Sequence, residues 1–194
     1  EAGATITVYD NGTQIGTTKA DANGNWSFTP STALANGNHA ITTTATDAAG
    51  NTSAPSAAVT FVVDTVAPAA PVVISINDDL LPNTGALSNG GSTNDLRPQL
   101  SGTAEAGSVV TIYDNGIAIG TANVGSNGSW TFTPQVNLSE GNHQITVRAT
   151  DAAGNLGAAS PAIGINVDTT APDRPTVSLN GTGTVATGTA EANS

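Results

Sequence analysis

The sequence predicts an all-β chain of β-sandwich repeats arranged end to end. Three observations carry that prediction. Apolar residues alternate with Thr, Ser and Asn through Val- and Thr-rich runs, the period-2 pattern of half-buried strands. The 194-residue chain repeats itself at a fixed spacing. Turn signals such as Asn11-Gly12 and Asn115-Gly116 separate the runs, and no stretch reads clearly as helix.

The repeat holds over a long register. EAGATITVYDNG from Glu1 matches EAGSVVTIYDNG from Glu105, a shift of 104 residues that carries without a gap to Pro68. NGNWSFTP (23–30) answers NGSWTFTP (127–134), GNHAIT (37–42) answers GNHQIT (141–146), and VDTVAP (63–68) answers VDTTAP (167–172). The heptapeptide ATDAAGN occurs identically at 45–51 and 149–155. A third copy begins at Asp168. SGTAE ends at Glu105 and TGTAE at Glu191, an advance of 86 residues, so this copy is 18 shorter, with little left of the space that INDDLLPNTGALSNGGSTNDLRP fills in the second copy. Three segments result: 1–63, lacking its first strands; 64–168, complete; and 169–194, carrying first strands alone. DTVAPAAP and DTTAPDRP join them as short, stiff Pro linkers.

In the complete segment the strands are expected near Val72–Asn77, Gln99–Thr103, Val109–Asp114, Ile117–Asn123, Trp130–Thr133, His143–Thr150 and Ala162–Val167. A unit of about 100 residues with this many short strands has the size of an Ig-like sandwich. The alternation assigns Val110, Ile112, Trp130, Phe132, Ile145, Val147, Ala149, Ile163, Ile165 and Val167 to its core. The counterparts in the first segment are Ile6, Val8, Trp26, Phe28, Ile41, Val59, Phe61 and Val63. Pairing of each Trp with a Phe two residues on favours core packing over a sugar-binding platform. His39 and His143 stand at equivalent strand starts and are expected to pack there. The TITV and ITTTAT runs offer too few Thr rows for an ice-binding face.

Fifteen Asp and Glu face four Lys and Arg, a net charge of −11. That balance disfavours nucleic acid and anionic membrane surfaces as partners. Two readings remain: solubility through charge repulsion, or binding of a hard cation by carboxylate and carbonyl oxygens. The absence of Cys excludes a disulfide framework and thiolate metal sites. No run approaches the roughly 20 apolar residues of a membrane span, and the chain opens mid-repeat without a signal-peptide pattern.

The TAEAG segment, the YDNG hairpin, NGxWxFTP, ATDAAGN and the DTxAP linkers together make the chain resemble bacterial Ig-like repeats, over all 194 residues. Such repeats occur in giant biofilm-associated surface adhesins exported by type I secretion. The resemblance implies an extracellular stalk or adhesive role at the bacterial cell surface and Ca²⁺ at domain junctions. The chain departs from antibody-type domains in having no Cys pair.

Strand direction sets which loops meet. The Glu105–Gly107 loop, the Ser126–Gly128 turn and the Asp151–Asn155 loop are expected at one end of the complete segment, where Asp64 arrives from the linker. Three carboxylates there either stay apart in water or share a cation, with Asn155 adding an oxygen. On this reading Ala-Gly-Asn supplies the ATDAAGN turn, and Asp151 is the part that turn chemistry does not require. The alternative is a solvated Asp in a repeated turn. Glu1 and Asp47 form an incomplete counterpart before the first copy, and Asp168 and Glu191 one after the second. The opposite end gathers Asp78, Asp79, Asn94, Asp95 and Asp114, either as a second cation clasp at the neck of the insertion or as Asx-type caps.

No set of residues supplies a nucleophile, base and oxyanion site together, so the chain is expected not to be an enzyme. The expected function is a structural, adhesive stalk, with Ca²⁺ rigidifying its junctions and neighbouring repeats as partners. The alternative is a module that binds a glycan or protein of the host surface or biofilm, with the GALSNGGSTND loop as the place to look. A further possibility is head-to-tail strand donation, in which Thr176–Ala190 of one chain completes residues 1–63 of the next; the favoured alternative is that the segment is trimmed from a longer chain.

Overall fold

The computed structural model describes residues 1–183 and 185–191. Among these there are sixteen strands and no helix. The chain divides into two compact units, Glu1–Ala67 with Ala153–Asn155, and Pro68–Ala152 with the residues from Leu156 onward.

The first unit is a single antiparallel sheet of β1 (Thr5–Asp10), β2 (Thr13–Lys19), β3 (Gly37–Thr46) and β4 (Val59–Val63), in the order β2-β1-β3-β4. Asn11 and Gly12, at φ 48° and 80°, make the tight turn between β1 and β2 that the Asn-Gly signal predicts. Ile6 and Val8 are buried, as alternation requires. The rest of the expected core of this unit is corrected by the structure. Trp26 is 44% exposed, Phe61 41% and Val59 67%, while Phe28, Ile41 and Val63 are half-buried. The physical reason is that no second sheet faces this one among the described residues of the unit, and the segment holding Trp26 and Phe28 has no ladder partner and forms no strand.

The second unit has two layers of its own. Its strands are β5 (Val72–Asp78), β6 (Gly85–Ala86), β7 (Gly91–Thr93), β8 (Gln99–Thr103), β9 (Val109–Asp114), β10 (Ile117–Asn123), β11 (Ser129–Phe132), β12 (Gly141–Thr150), β13 (Leu156–Ala159) and β14 (Ile163–Val167), followed by a small hairpin of β15 (Ser178–Leu179) and β16 (Ala186–Thr187). One sheet runs β10-β9-β12-β14-β7, with β13 beside β12; the other runs β11-β8-β5-β6. The inner faces meet in one cluster: Ile76, Leu100, Trp130 and Phe132 from one side, and Val110, Ile112, Ile145, Val147, Ala149, Ile165 and Val167 from the other. Every core residue expected of this unit is buried except Ile163, which packs half-buried against the cluster.

The insertion is not a bare loop. β6 pairs antiparallel with β5 in one sheet, and β7 pairs parallel with β14 in the other. The segment therefore staples the two layers together. Strands of two to four residues carry too little alternation to be seen in the sequence, which is also why β13 was not expected.

Gly102 on β8 marks the tightest point of the sandwich. A Cβ there would stand 2.1 Å from the Val72 carbonyl oxygen and 2.5 Å from Cζ2 of Trp130. Trp130 lies 2% exposed across β8, with Trp130 paired to Gly102 in the ladder. Glycine is needed here for space.

Each unit also carries one buried imidazole–carboxylate pair in the same place. His39 Nδ1 is 2.6 Å from Asp10 Oδ2, and its Nε2 is 2.8 Å from the Ala35 carbonyl. His143 Nδ1 is 2.7 Å from Asp114 Oδ2, and its Nε2 is 2.9 Å from the Ser139 carbonyl. His39 further stacks on Phe61 at 5.5 Å. Both residues thus tie the loop before their strand to the hairpin beside it, the packing role expected of them. The Ala35 carbonyl and then the Asp10 carboxylate hold the His39 imidazole above its ordinary value of 6.5, because both acceptors favour the doubly protonated ring.

Two outcomes follow. Gly102→Ala forces the Val72 backbone or the Trp130 ring to move and destabilises the second unit by about 1–3 kcal/mol in denaturant titration followed by Trp fluorescence; an unchanged midpoint contradicts the close approach. For His39, the folded-state value lies above the unfolded one. Its stabilisation is therefore complete below pH 6.5 and is lost as pH rises through the folded value. The His39 ring resonances should titrate with a midpoint above 6.5, and Asp10→Asn, which removes the second cause but not the first, should lower that midpoint without returning it fully. A midpoint at 6.5 in the parent chain contradicts the pairing.

Candidate cation-binding sites

The carboxylates singled out in the sequence sit mostly at turns, and the turns use them. Asp47 Oδ1 accepts from the backbone of Ala49 at 2.9 Å and of Asn51 at 2.8 Å, while Oδ2 accepts from Asn51 Nδ2 at 2.8 Å. The Asn51 side chain and then the Asn51 backbone amide hold its carboxyl below the usual 3.8. This corrects the expectation that Ala-Gly-Asn alone shapes ATDAAGN: in the first copy the Asp is itself the acceptor that closes the turn. Asp64 Oδ1 and Asp168 Oδ1 do the same for the linkers, accepting from Val66 N at 2.9 Å and Thr170 N at 3.0 Å.

In the first unit Asn155 Nδ2 donates to the Asp64 carbonyl at 3.0 Å, which joins two of the residues expected together. Glu1 is exposed and Asp47 half-buried in the same unit. In the second unit the loops of Glu105 and Asp151 leave the same end of the sandwich. Thr150 pairs with Val109, so Asp151 departs beside the Glu105–Ser108 turn. The Ser126–Gly128 turn joins them there, through Ala104 N donating to the Gly128 carbonyl at 2.9 Å.

At the neck of the insertion the structure brings Asp78 and Asp95 together through Thr93, a residue that sequence reasoning missed. Asp78, 4% exposed, accepts from Leu80 N at 2.8 Å on Oδ1 and from Thr93 Oγ1 at 2.7 Å on Oδ2. Thr93 Oγ1 in turn accepts from Asp95 N at 2.9 Å, and Asp95 Oδ1 accepts from Arg97 N at 2.7 Å. The two-residue spacing of Thr93 and Asp95, each reaching a backbone amide two positions away, was the available signal. Asn94 Nδ2 donates to the Leu81 carbonyl at 3.0 Å, and Asp79 is exposed. Asp114, grouped with them in the sequence reading, is instead the partner of His143.

A cavity of about 630 Å³ opens beside this neck, lined by Asp78, Asn94, Asp168 and Glu191 among others, with no Lys or Arg in its wall. Glu191 Oε2 accepts from Asp173 N at 2.9 Å. The donors on offer are all oxygens, carrying three negative charges, which is the chemistry of a hard cation such as Ca²⁺. Among the described residues no three His, Asp or Glu side chains stand close enough to form a ligand shell as they lie. The donor type and charge fit such an ion; the present spacing requires the linker and Glu191 to draw in around it.

Comparison with known proteins places these features in context. Among curated protein sequences none matches the chain. Among solved structures it is similar to the fibronectin(III)-like modules of Clostridium thermocellum CbhA, at 17% identity over 86% of this chain and 79% of that one, with a TM-score of 0.49. It is similar to a tetra-tandem repeat from the extending region of a large adhesion protein, at 22% identity over 93% of this chain and 45% of that one, TM-score 0.41. A 1.5-MDa bacterial ice-binding adhesin gives 27% identity over 87% of this chain and 55% of that one, TM-score 0.38. The chain thus spans about half the length of these two adhesin structures. The model of the bacterial Ig-like domain matches twice, over residues 1–65 and 69–169. The chain is a tandem member of the bacterial Ig-like domain family.

Proposed function

We propose that this chain is a stalk segment of a large bacterial surface adhesin, extracellular and exported by type I secretion, whose repeats are stiffened at their junctions by Ca²⁺. The observation that carries the reading is the cavity lined by Asp78, Asp168 and Glu191. It joins the linker after one repeat, the neck of that repeat's insertion, and the TGTAE segment of the next, with no cationic side chain to neutralise them. By the repeat Asp64 is equivalent to Asp168, Glu1 and Glu105 are equivalent to Glu191, and Asp151 and Asn155 answer Asp47 and Asn51 of the first copy. Asp64 and Asp168 each accept one backbone hydrogen on Oδ1, and Glu191 one on Oε2, while Glu1 and Glu105 stand exposed. Fifteen acidic residues against four basic ones make the unliganded junctions self-repelling.

A cation that binds the folded, extended chain stabilises it by mass action, about 2.7 kcal/mol when free Ca²⁺ is a hundredfold above its Kd. The role is mechanical, and no catalytic step is assigned to any residue. The alternative, a module that binds a glycan or protein of the host or biofilm through the 80–95 segment, has exposed Leu80 and Leu81 in its favour. That segment has no aromatic residue, and its β6 and β7 are built into the sheets.

Small-angle scattering and calorimetry of the chain in Ca²⁺, in Mg²⁺ and in chelator test the proposal. Ca²⁺ should lengthen the maximum dimension and raise the melting midpoint by about 5–10 °C. Asp168→Asn with Glu191→Gln should remove about one bound ion per chain without unfolding the sandwich. An unchanged dimension and midpoint in Ca²⁺ overturns the reading.

A further inference from the structure

Seven asparagines in this chain precede a glycine: Asn11, Asn23, Asn36, Asn89, Asn115, Asn127 and Asn180. Glycine leaves the following amide nitrogen uncovered by a side chain, so these are the positions where a carboxamide is most open to attack by its own backbone. The attack requires the carboxamide to swing over the nitrogen of the next residue. A hydrogen bond that holds it elsewhere must break first.

Six of the seven are held. Asn11 Nδ2 donates to the Asn38 carbonyl at 2.9 Å, and Asn115 Nδ2 to that of Asn142 at 3.3 Å. Oδ1 of Asn36 accepts from Thr65 N at 3.1 Å, that of Asn89 from Gly164 N at 2.7 Å, and that of Asn180 from Val185 N at 3.2 Å. Asn127 Oδ1 accepts from Ser129 N at 3.1 Å. Asn23 is exposed, and its carboxamide makes no hydrogen bond among the described residues.

One difference between the repeats accounts for this. Asn23 and Asn127 are equivalent, and their turns close with the same backbone bonds. Gly24 N donates to the Asp21 carbonyl at 3.0 Å and Asp21 N to that of Asn25 at 2.8 Å; Gly128 N donates to the Gly125 carbonyl and Gly125 N to that of Ser129, each at 2.9 Å. The second copy has Gly125 where the first has Asp21. With no carboxylate at Gly125, Asn127 supplies the oxygen that caps the Ser129 amide. In the first copy Asp21 Oδ1 takes that role, accepting from Asn25 N at 2.9 Å and from Asn23 N at 2.8 Å. Asn23 is thereby relieved of the turn, and its carboxamide stands free beside Gly24.

We infer that Asn23 is a site of spontaneous covalent modification, converting through a succinimide to aspartate and isoaspartate, while its copy Asn127 is protected. Gly24 N bonds to Asn23 Cγ and the Cγ–Nδ2 bond breaks; ammonia leaves, carrying the Gly24 amide proton. Water then opens the ring at either carbonyl. Attack at Cγ gives aspartate, and attack at the main-chain carbonyl gives isoaspartate, whose main chain runs through Cβ and Cγ. Either product adds one negative charge, taking the chain from −11 to −12. Isoaspartate also lengthens the turn between β2 and the Trp26 segment. The reaction needs no cation and no partner, so it is independent of the stalk reading.

Tandem mass spectrometry of the folded chain after warm incubation at mildly alkaline pH reads all seven positions in one molecule. Asn23 should convert about fivefold faster than Asn127, with isoaspartate among its products. Asp21→Gly should return the Asn23 carboxamide to the Asn25 amide and slow its conversion to the rate of Asn127. Gly125→Asp should do the reverse, since a Cβ there meets Asn127 Oδ1 at 3.0 Å. In denaturant the two positions should convert alike. Equal rates at Asn23 and Asn127 in the folded chain overturn the inference, as does a difference that persists in denaturant or an Asp21→Gly variant that converts at the parent rate.

Discussion

The structure depends on one constraint: the NGxWxFTP segment forms a strand where β8 lies beside it and an opposing sheet covers its Trp and Phe. The contact of Trp130 with Gly102 is where that constraint is satisfied most tightly. The indole lies across β8, the Val72 carbonyl passes beneath, and the two sheets close around Ile76, Leu100 and Ile112. Remove the layer formed by β5 and β8, and the same NGxWxFTP motif in the first unit neither forms a strand nor buries its Trp. Two near-identical sequences within one chain thus reach different local structures. Local propensity is held constant between them, and tertiary cover decides.

The order of the acidic groups follows from the same layering. Loops that leave one end of a sandwich are held side by side, as the Glu105–Ser108 turn and the start of the Asp151 loop are. In this chain those carboxylates do two things at once. Asp47, Asp64, Asp78, Asp95 and Asp168 each close a turn by accepting a backbone hydrogen. The turns in turn hold oxygen at fixed positions along the edge of each unit. The repeated Asp is therefore explained by the shape of its turn.

Much of this was legible in the sequence. Alternation located the long strands of the second unit within about two residues, and the Asn-Gly pairs located both hairpins, because period 2 and positive φ leave direct traces. The core of the second unit was read correctly for the same reason. The first unit was misread because burial is a property of partners: nothing in TITV or NWSF records whether an opposing sheet is present. The insertion was read as a loop because its strands are too short for alternation to register, although Thr93 and Asp95 carried a readable turn signal. At the candidate sites, loop adjacency within the second unit was derivable from strand direction. The use of Asp47 in its own turn was equally legible, since the Asx geometry needs no residue beyond those already in ATDAAGN.

Native-state hydrogen exchange on dilute, monomeric protein addresses the central claim most directly, because it reads the two copies of one motif in one molecule. If cover by a second sheet is what orders the strand, the amides of Thr131 and Phe132 exchange only through opening of the second unit, while those of Ser27 and Phe28 exchange orders of magnitude faster. Equal protection of the two segments in the monomer would contradict the account.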